Sequence, residues 1–281
     1  MALEKVSTIL KMADAANTSA IGFNCNDYTM AYSVVAVAEE LQKPAIVMLY
    51  PPDNYESNCC GLKAFATTVH ELAANVKVPI GLHLDHCSDF DFILRAIQAG
   101  FTSVMYDGSM LPVEENIKLT KRVVDAAHAL GADVEAELGH VGFAANQDQD
   151  DKDMYTKPEV AAAFCEQTGV DSVAVAIGSA HGVYLTTPKL DLTRLDAINA
   201  ATETPLVLHG GSGIPHDQLE EAFRRGINKF NVGTEYFRLY YDSFREYAAE
   251  FGDKGNMQKV PRYIQERMMA YLRQKLQLSK F

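Results

Sequence analysis

Eight times along this chain a short extended apolar run gives way to a stretch with helical periodicity, and few folds accept that rhythm. The runs are 20–24, 45–50, 81–85, 102–106, 133–139, 171–177, 206–209 and 227–231. Helical patterns fall at 28–41, 62–76, 89–98, 112–130, 158–168, 192–200 and 216–225, with one at 4–16 and two more at 234–251 and 260–277. Continuous or alternating apolar residues mark buried strands, and apolar residues every three to four positions mark helices. Strands apolar on both faces are those of a parallel sheet covered on both sides. Gly100, Gly131, Gly169 and Gly226 stop helices, as glycine does at a left-handed C-terminus. Pro44, Pro79 and Pro205 precede strands, since the residue before proline is pushed out of the α region. The pattern predicts a (β/α)8 barrel as one domain over 1–281, with a helical extension over about 252–281. A doubly wound open sheet is the alternative, but its glycine-rich loop after the first strand is here Asn24-Cys25-Asn26-Asp27.

Composition narrows the function classes. With 48% apolar residues in 281, a large core is within reach. The net charge of −12 argues against a nucleic-acid partner, because phosphate backbones call for an excess of Lys and Arg. The five cysteines, Cys25, Cys59, Cys60, Cys87 and Cys165, are odd in number and form no CxxC pair. They predict a reducing, cytoplasmic setting. No run reaches the ~18 apolar residues of a membrane span, and residues 1–10 lack the apolar core of a signal peptide. No membrane partner is expected.

The strand ends carry the chemistry. In 81–86, Leu82 and Leu84 alternate with Gly81 and His83, and the run stops at Asp85-His86. Ser88 is the expected N-cap of the next helix, with Asp91 three residues on. The other ends are Asn24, Tyr50, Asp107, Glu137, His181 just past the sixth strand, His209 and Asn231. All eight ends of a barrel open onto one face. Imidazoles from His86, His181 and His209 can therefore converge on one divalent cation, most simply Zn²⁺; the plain alternative is three hydrogen-bonded histidines at loop mouths. Asp107 and Glu137 can hold a second cation, divalent or monovalent, or orient a ligand histidine; the plain alternative is a helix-capping or salt-bridging acid. Two glycine-bearing segments, His209-Gly210-Gly211-Ser212-Gly213 and Asn231-Val232-Gly233-Thr234, each lead into a helix. Backbone N–H groups and a helix N-terminus there suit a phosphate, and the loops after strands seven and eight are its usual place in this fold.

Five ordered motifs resemble one family: Leu-Asp-His at 84–86, Val-Glu-Ala-Glu-Leu-Gly at 134–139, Ala-Ile-Gly-Ser-Ala-His-Gly at 176–182, Leu-His-Gly-Gly-Ser-Gly-Ile at 208–214 and Asn-Val-Gly-Thr-Glu at 231–235. They are similar to those of the class II, zinc-dependent ketose-bisphosphate aldolases, over about residues 5–275. The resemblance implies reversible aldol cleavage of a ketose (bis)phosphate to dihydroxyacetone phosphate and an aldehyde. It assigns the zinc to His86, His181 and His209, and proton exchange with the aldehyde oxygen to Asp85. It gives dihydroxyacetone phosphate to Gly182, Gly210, Gly211, Ser212, Asn231 and Thr234, with Asn24 nearby. Asp107 and Glu137 match an alternative metal position, and a homodimer or homotetramer is implied.

Three positions depart from the family pattern. Tyr50 stands where a small Ser or Thr is usual. The loop usually reading Gly-Gly-x-Glu-Asp, source of the acid that takes the C3 proton, is here 142–148, Gly-Phe-Ala-Ala-Asn-Gln-Asp. Gly233 stands where the fructose-bisphosphate branch carries Asp. These differences predict slow cleavage of fructose 1,6-bisphosphate and better activity on another aldehyde half. Asp148 is the expected substitute base, on an acidic stretch 146–153 that reads as mobile; the plain alternative is that these aspartates merely solubilise a floppy loop. The other readings are a sugar-phosphate isomerase or epimerase, a non-catalytic phosphosugar-binding barrel, and an imine mechanism through Lys229.

Overall fold

The computed structural model describes residues 3–51, 61–139 and 141–281. Pro52, Cys59 and Cys60 lie outside them. Eight parallel strands pair in chain order and close β8 onto β1. They are β1 (Ala20–Asn24), β2 (Ala45–Leu49), β3 (Ile80–Leu84), β4 (Ser103–Tyr106), β5 (Asp133–Leu138), β6 (Ser172–Val175), β7 (Leu206–Leu208) and β8 (Ile227–Val232). The helices are α1 (Val6–Ala15), α2 (Tyr28–Leu41), α3 (Leu62–Ala74), α4 (Phe90–Ala99), α5 (Val113–Ala129), α6 (Pro158–Thr168), α7 (Leu192–Ala201), α8 (His216–Arg224), α9 (Thr234–Phe251) and α10 (Val260–Leu276). This is the (β/α)8 barrel read from the sequence, and no open sheet. No helix among the described residues is long and apolar enough to cross a membrane.

The strands owe their stability to two different faces. Phe23, Val47, Leu49, Leu82, Leu84, Val134, Leu138, Val173 and Phe230 pack outward with helix residues such as Val34, Phe65, Phe164 and Leu219 in one continuous apolar core. Inside, the lower end is plugged by α1, whose Val6, Ile9, Leu10 and Ala13 pack on Ala20, Ile46 and Met48. A side chain at Gly81 would lie 2.9 Å from Val6 Cγ2, so that glycine is what lets α1 close the barrel. The plug is also tied by hydrogen bonds, with the Glu4 N–H donating to Ile80 O and the Ser7 N–H to Asp133 Oδ2.

Two local readings change. The N-cap of α4 is Asp89, whose carboxylate accepts from the N–H groups of Asp91 and Phe92; the chain turns one residue later than expected, and Ser88 instead faces the upper cavity. The acidic stretch winds into three short 3-10 turns, Ala144–Asn146, Asp148–Asp150 and Lys152–Met154. Backbone hydrogen bonds fasten its start to the loop after β6: Ala144 N–H donates to His181 O (2.8 Å) and His181 N–H to Gly142 O (2.7 Å).

Candidate active site

At the C-terminal end of the strands lies a cavity of about 1150 Å³. Asn24, Tyr50, Asp85, His86, Asp107, Glu137, Asp148, His181 and Gly182 line it, with Gly210, Gly211, Ser212, Asn231, Gly233 and Thr234. His209 is fully buried beside it. The strand-end, glycine-loop and acidic-loop candidates thus lie together, with Lys229 the exception.

The three imidazoles meet. Ring centroids are 4.8 Å apart for His86 and His181, 4.6 Å for His86 and His209, and 5.9 Å for His181 and His209. One nitrogen from each lies within 4.8 Å of the others. Each ring commits one nitrogen elsewhere: His86 Nδ1 to Asp107 Oδ2 (2.8 Å), His181 Nδ1 to Val141 O (3.0 Å) and His209 Nε2 to Glu135 Oε1 (2.9 Å). Since a carboxylate or carbonyl can only accept, these contacts place a proton on that nitrogen of each ring and leave the other nitrogen as the one a metal would take up in exchange for any proton it carries. His86 also adopts a left-handed backbone, φ +44°, uncommon for a non-glycine residue and frequent at functional positions.

The surroundings fit a cation. His209 Nδ1 and Glu137 Oε2 are buried, face each other at 3.2 Å and have no hydrogen-bond partner. Unpaired buried polar atoms are costly, and an ion would satisfy both. Among the described residues, Asp85, Asp107, Glu135 and Glu137 outnumber the one permanent cation paired within their group, Lys229. Burial disfavours the charged form of His209, but Glu135 and Glu137 outweigh it and push the pKa up to about 10. Burial, reinforced by His86 and His209, takes His181 down to about 4. His86, Asp107 and Glu137 make a second group with ligand atoms in range. A third geometric group, His83, Asp85 and Glu135, is closed, because Lys229 Nζ already sits 2.8 Å from Glu135 Oε2.

Asp85 is held from both sides. Asn24 Nδ2 donates to its Oδ2 (2.8 Å) and Asn231 Nδ2 to its Oδ1 (2.9 Å). Burial raises its pKa, but His86, His209 and Lys229 prevail and hold it below the usual carboxylate value. Tyr50 stands edge-on to His86 at 6.0 Å on the rim. Asp148 reaches the cavity, with Oδ2 accepting the Phe143 N–H at 2.7 Å; the side chain of Asp153 lies outside the described residues. The α9 N-terminus opens onto the cavity at Thr234, and Ser212 Oγ accepts from the Glu235 N–H (3.3 Å).

A layer below the cavity was missed in the sequence. His83, Glu135 and Lys229 are fully buried inside the barrel. Glu135 accepts from Lys229, His209 and Ser172 Oγ, and His83 Nδ1 meets Ser103 Oγ at 2.8 Å. The signal was present: each lies two residues before Asp85, Glu137 or Asn231, and in a strand that spacing means the same face. Lys229, the imine candidate, is locked in this layer away from the cavity.

The family model of the class-II fructose-bisphosphate aldolases matches residues 4–280. A fructose-bisphosphate aldolase of Geobacillus stearothermophilus is 40% identical over 230 residues, 81% of this chain and 79% of that protein. The chain belongs to the class-II fructose-bisphosphate aldolase family. The crystal structure of the YdjI aldolase of Escherichia coli K12 superposes with a TM-score of 0.87 at 31% identity, covering 99% of this chain and 97% of that one. The fructose-bisphosphate aldolase of Campylobacter jejuni, 23% identical with a TM-score of 0.80 over 99% and 95% of the chains, shares the fold. As a member of a metal-dependent family, this chain is an aldolase, a carbon–carbon lyase acting on a phosphorylated sugar. The isomerase and non-catalytic readings are not favoured.

Proposed function

We propose that this aldolase reversibly splits a ketose phosphate into dihydroxyacetone phosphate and an aldehyde, with Zn²⁺ held by His86, His181 and His209. The observation that carries it is the convergence of three imidazoles whose outer nitrogens are already engaged. When bound, the ion supplies Lewis-acid chemistry for polarising a carbonyl oxygen. Asp107 and Glu137, with His86, offer a second position for a cation.

The protein's own groups then divide the work. Asp85, with each oxygen accepting one amide N–H, keeps lone pairs to hold and return a proton at the aldehyde oxygen. Asp148 retains Oδ1 to take the C3 proton of dihydroxyacetone phosphate. Gly182, Gly210, Gly211, Ser212, Gly233 and Thr234 cradle the phosphate by backbone N–H groups, hydroxyls and the α9 dipole, with Asn24 and Asn231 beside the reacting carbons. The aldehyde half lies toward Tyr50, Ser109, Met110, Phe143 and Asp148. Hydroxyl, apolar and acidic groups suit a hydroxylated, uncharged end better than a second phosphate, so fructose 1,6-bisphosphate should be cleaved slowly.

The reading includes one folding unit over 1–281, a homodimer or homotetramer, and a reducing cytoplasm, in keeping with the buried free thiols of Cys25, Cys87 and Cys165. The test is mass spectrometry of products from protein, dihydroxyacetone phosphate and a panel of phosphorylated and plain aldehydes. Chelation should abolish ketose formation while the fold survives, and Zn²⁺ should restore it. Undiminished turnover by a His86→Ala, His181→Ala, His209→Ala protein would defeat the metal assignment.

A further inference from the structure

Two loops form the phosphate side of the cavity, 178–182 after β6 and 210–213 after β7. They touch backbone to backbone: a Cβ on Gly210 would lie 2.4 Å from Ala180 O. One side chain bridges both. The Tyr184 hydroxyl accepts the Ala180 N–H at 2.7 Å and donates to Gly210 O at 2.7 Å. Its ring also backs the second loop, since a Cβ on Gly213 would lie 3.3 Å from Tyr184 Cδ2. Both hydrogen-bonding functions of the phenol are therefore spent on main-chain groups of the cradle. Burial pushes the phenol up to about 12, so it keeps the proton it donates.

The geometry has a directional consequence. Gly210 C=O and Gly211 N–H belong to one peptide unit, and the structure has no cis peptide bond among the described residues. In a trans unit these two groups point opposite ways. Tyr184 does not line the cavity, whereas Gly211 does. Pulling the Gly210 carbonyl onto the phenol thus turns the Gly211 N–H toward the cavity. Gly210 takes φ +65°, and glycine adopts either sign of φ readily, so without the clamp this peptide is free to turn over and present its carbonyl to an anion. Among the described residues the N–H groups of Gly182, Gly211 and Ser212 find no acceptor, which leaves them for a ligand.

We propose that Tyr184 is a positioning residue: its hydroxyl fastens the two glycine loops together and holds the Gly211 peptide with its N–H aimed at the phosphate of the substrate. The inference rests on the phosphate cradle proposed above and assigns it a device outside the cavity wall. The hydroxyl contacts only main-chain groups of the two glycine loops, so its loss should fall first on phosphate binding, and dihydroxyacetone exchange reports whether the neighbouring His181 and His209 are disturbed as well.

Tyr184→Phe removes the hydroxyl and keeps the ring. In the Zn²⁺-loaded protein, exchange of the C3 proton should show KM for dihydroxyacetone phosphate raised about tenfold, as for one ligand hydrogen bond weakened, with kcat within about twofold. Exchange of dihydroxyacetone, which lacks the phosphate, should be unchanged, and inorganic phosphate should bind more weakly by a similar factor in calorimetry. Tyr184→Leu carries the same expectation should the first variant not fold. Unchanged KM and phosphate affinity in a variant of an otherwise phosphate-binding protein would overturn the clamp while leaving the cradle. An equal loss on dihydroxyacetone would also overturn it, by showing general damage. If the native protein bound neither dihydroxyacetone phosphate nor inorganic phosphate, the cradle itself would fall, and the clamp with it.

Discussion

His86 and His181 line the cavity and His209 lies buried beside it; His86 and His209 follow the ends of β3 and β7 and His181 sits in the loop after β6, with their second ring nitrogens tied to Asp107, Glu135 and Val141 respectively. Tyr50, Met110 and Phe143 reach the same cavity from the segments after β2, β4 and β5, and are 44%, 77% and 57% exposed. The first set is held by buried or part-buried hydrogen bonds that few substitutions could preserve. On the proposed reading the second meets the substrate through surface that tolerates change. The comparison then teaches that the reaction belongs to the groups at and just beyond the strand ends and the choice of aldehyde to the outer loops. Functional groups on rigid elements are placed more accurately than those on loops.

If that division holds, the largest effect should come from the strand end that touches the reaction itself. Asp85→Ala should lower carbon–carbon bond cleavage and formation by roughly 10²–10⁴-fold, the range for a lost general acid–base group. Much of the C3 proton exchange of dihydroxyacetone phosphate should survive, because that proton leaves elsewhere. Parallel assays of cleavage and exchange decide it. Equal losses in both would show that Asp85 serves the whole site rather than the aldehyde oxygen.

The strand ends were also the legible part of the sequence. Period-2 runs and glycine stops located all eight strands, and the residue at which each run turns polar named the cavity wall. The loops were harder to read, because a side chain's direction there depends on contacts distant in sequence. Ser88 looked like a cap until Asp89 took the N–H groups of Asp91 and Phe92. The stretch 146–153 read as mobile on composition; its Asn146 and Asp148 N–H groups donate to Phe143 O, and the residues just before it are tied to His181. Lys229 was legible as an inward-facing residue, but its buried partnership with His83 and Glu135 was not, for a different reason. Polar residues inside strands are weighed as exceptions in a hydrophobic pattern, and only the closed barrel reveals that three such exceptions are partners.

Asp148 tests the loop side. Its Oδ2 supports the Phe143 N–H, and a Cβ on Gly142 would lie 2.3 Å from that oxygen, so the carboxylate packs tightly on its own loop. Asp148→Ala should slow C3 exchange by on the order of 10², the low end for a general base, since a group half committed to a backbone bond is imperfectly placed. Asp148→Asn separates the two duties: the amide oxygen can keep the turn but cannot take a proton. Exchange that is slow in the alanine variant and normal in the asparagine variant would assign Asp148 to loop structure alone.

The smallest effect on turnover, and the most informative about the strand side, should come from beneath the metal site. Glu135 accepts from His209 Nε2 and from Lys229 Nζ, with all three side chains fully buried. Glu135→Gln keeps the shape and an acceptor for His209 but strips Lys229 of its counter-charge. Leaving one partner of a buried ion pair alone costs about 3–5 kcal/mol, which denaturant unfolding would register. Loss of the carboxylate behind a metal-binding imidazole typically weakens metal binding 10–100-fold, which competition with a chelating dye would read. Glu135→Gln combined with Lys229→Met removes the orphaned ammonium, so stability should recover while metal affinity stays low. That split is what distinguishes a tuned ligand from a mere core contact. If affinity returned together with stability, the buried pair would serve the barrel rather than the metal, and the strand side would owe its accuracy to packing instead of to hydrogen-bonded carboxylates.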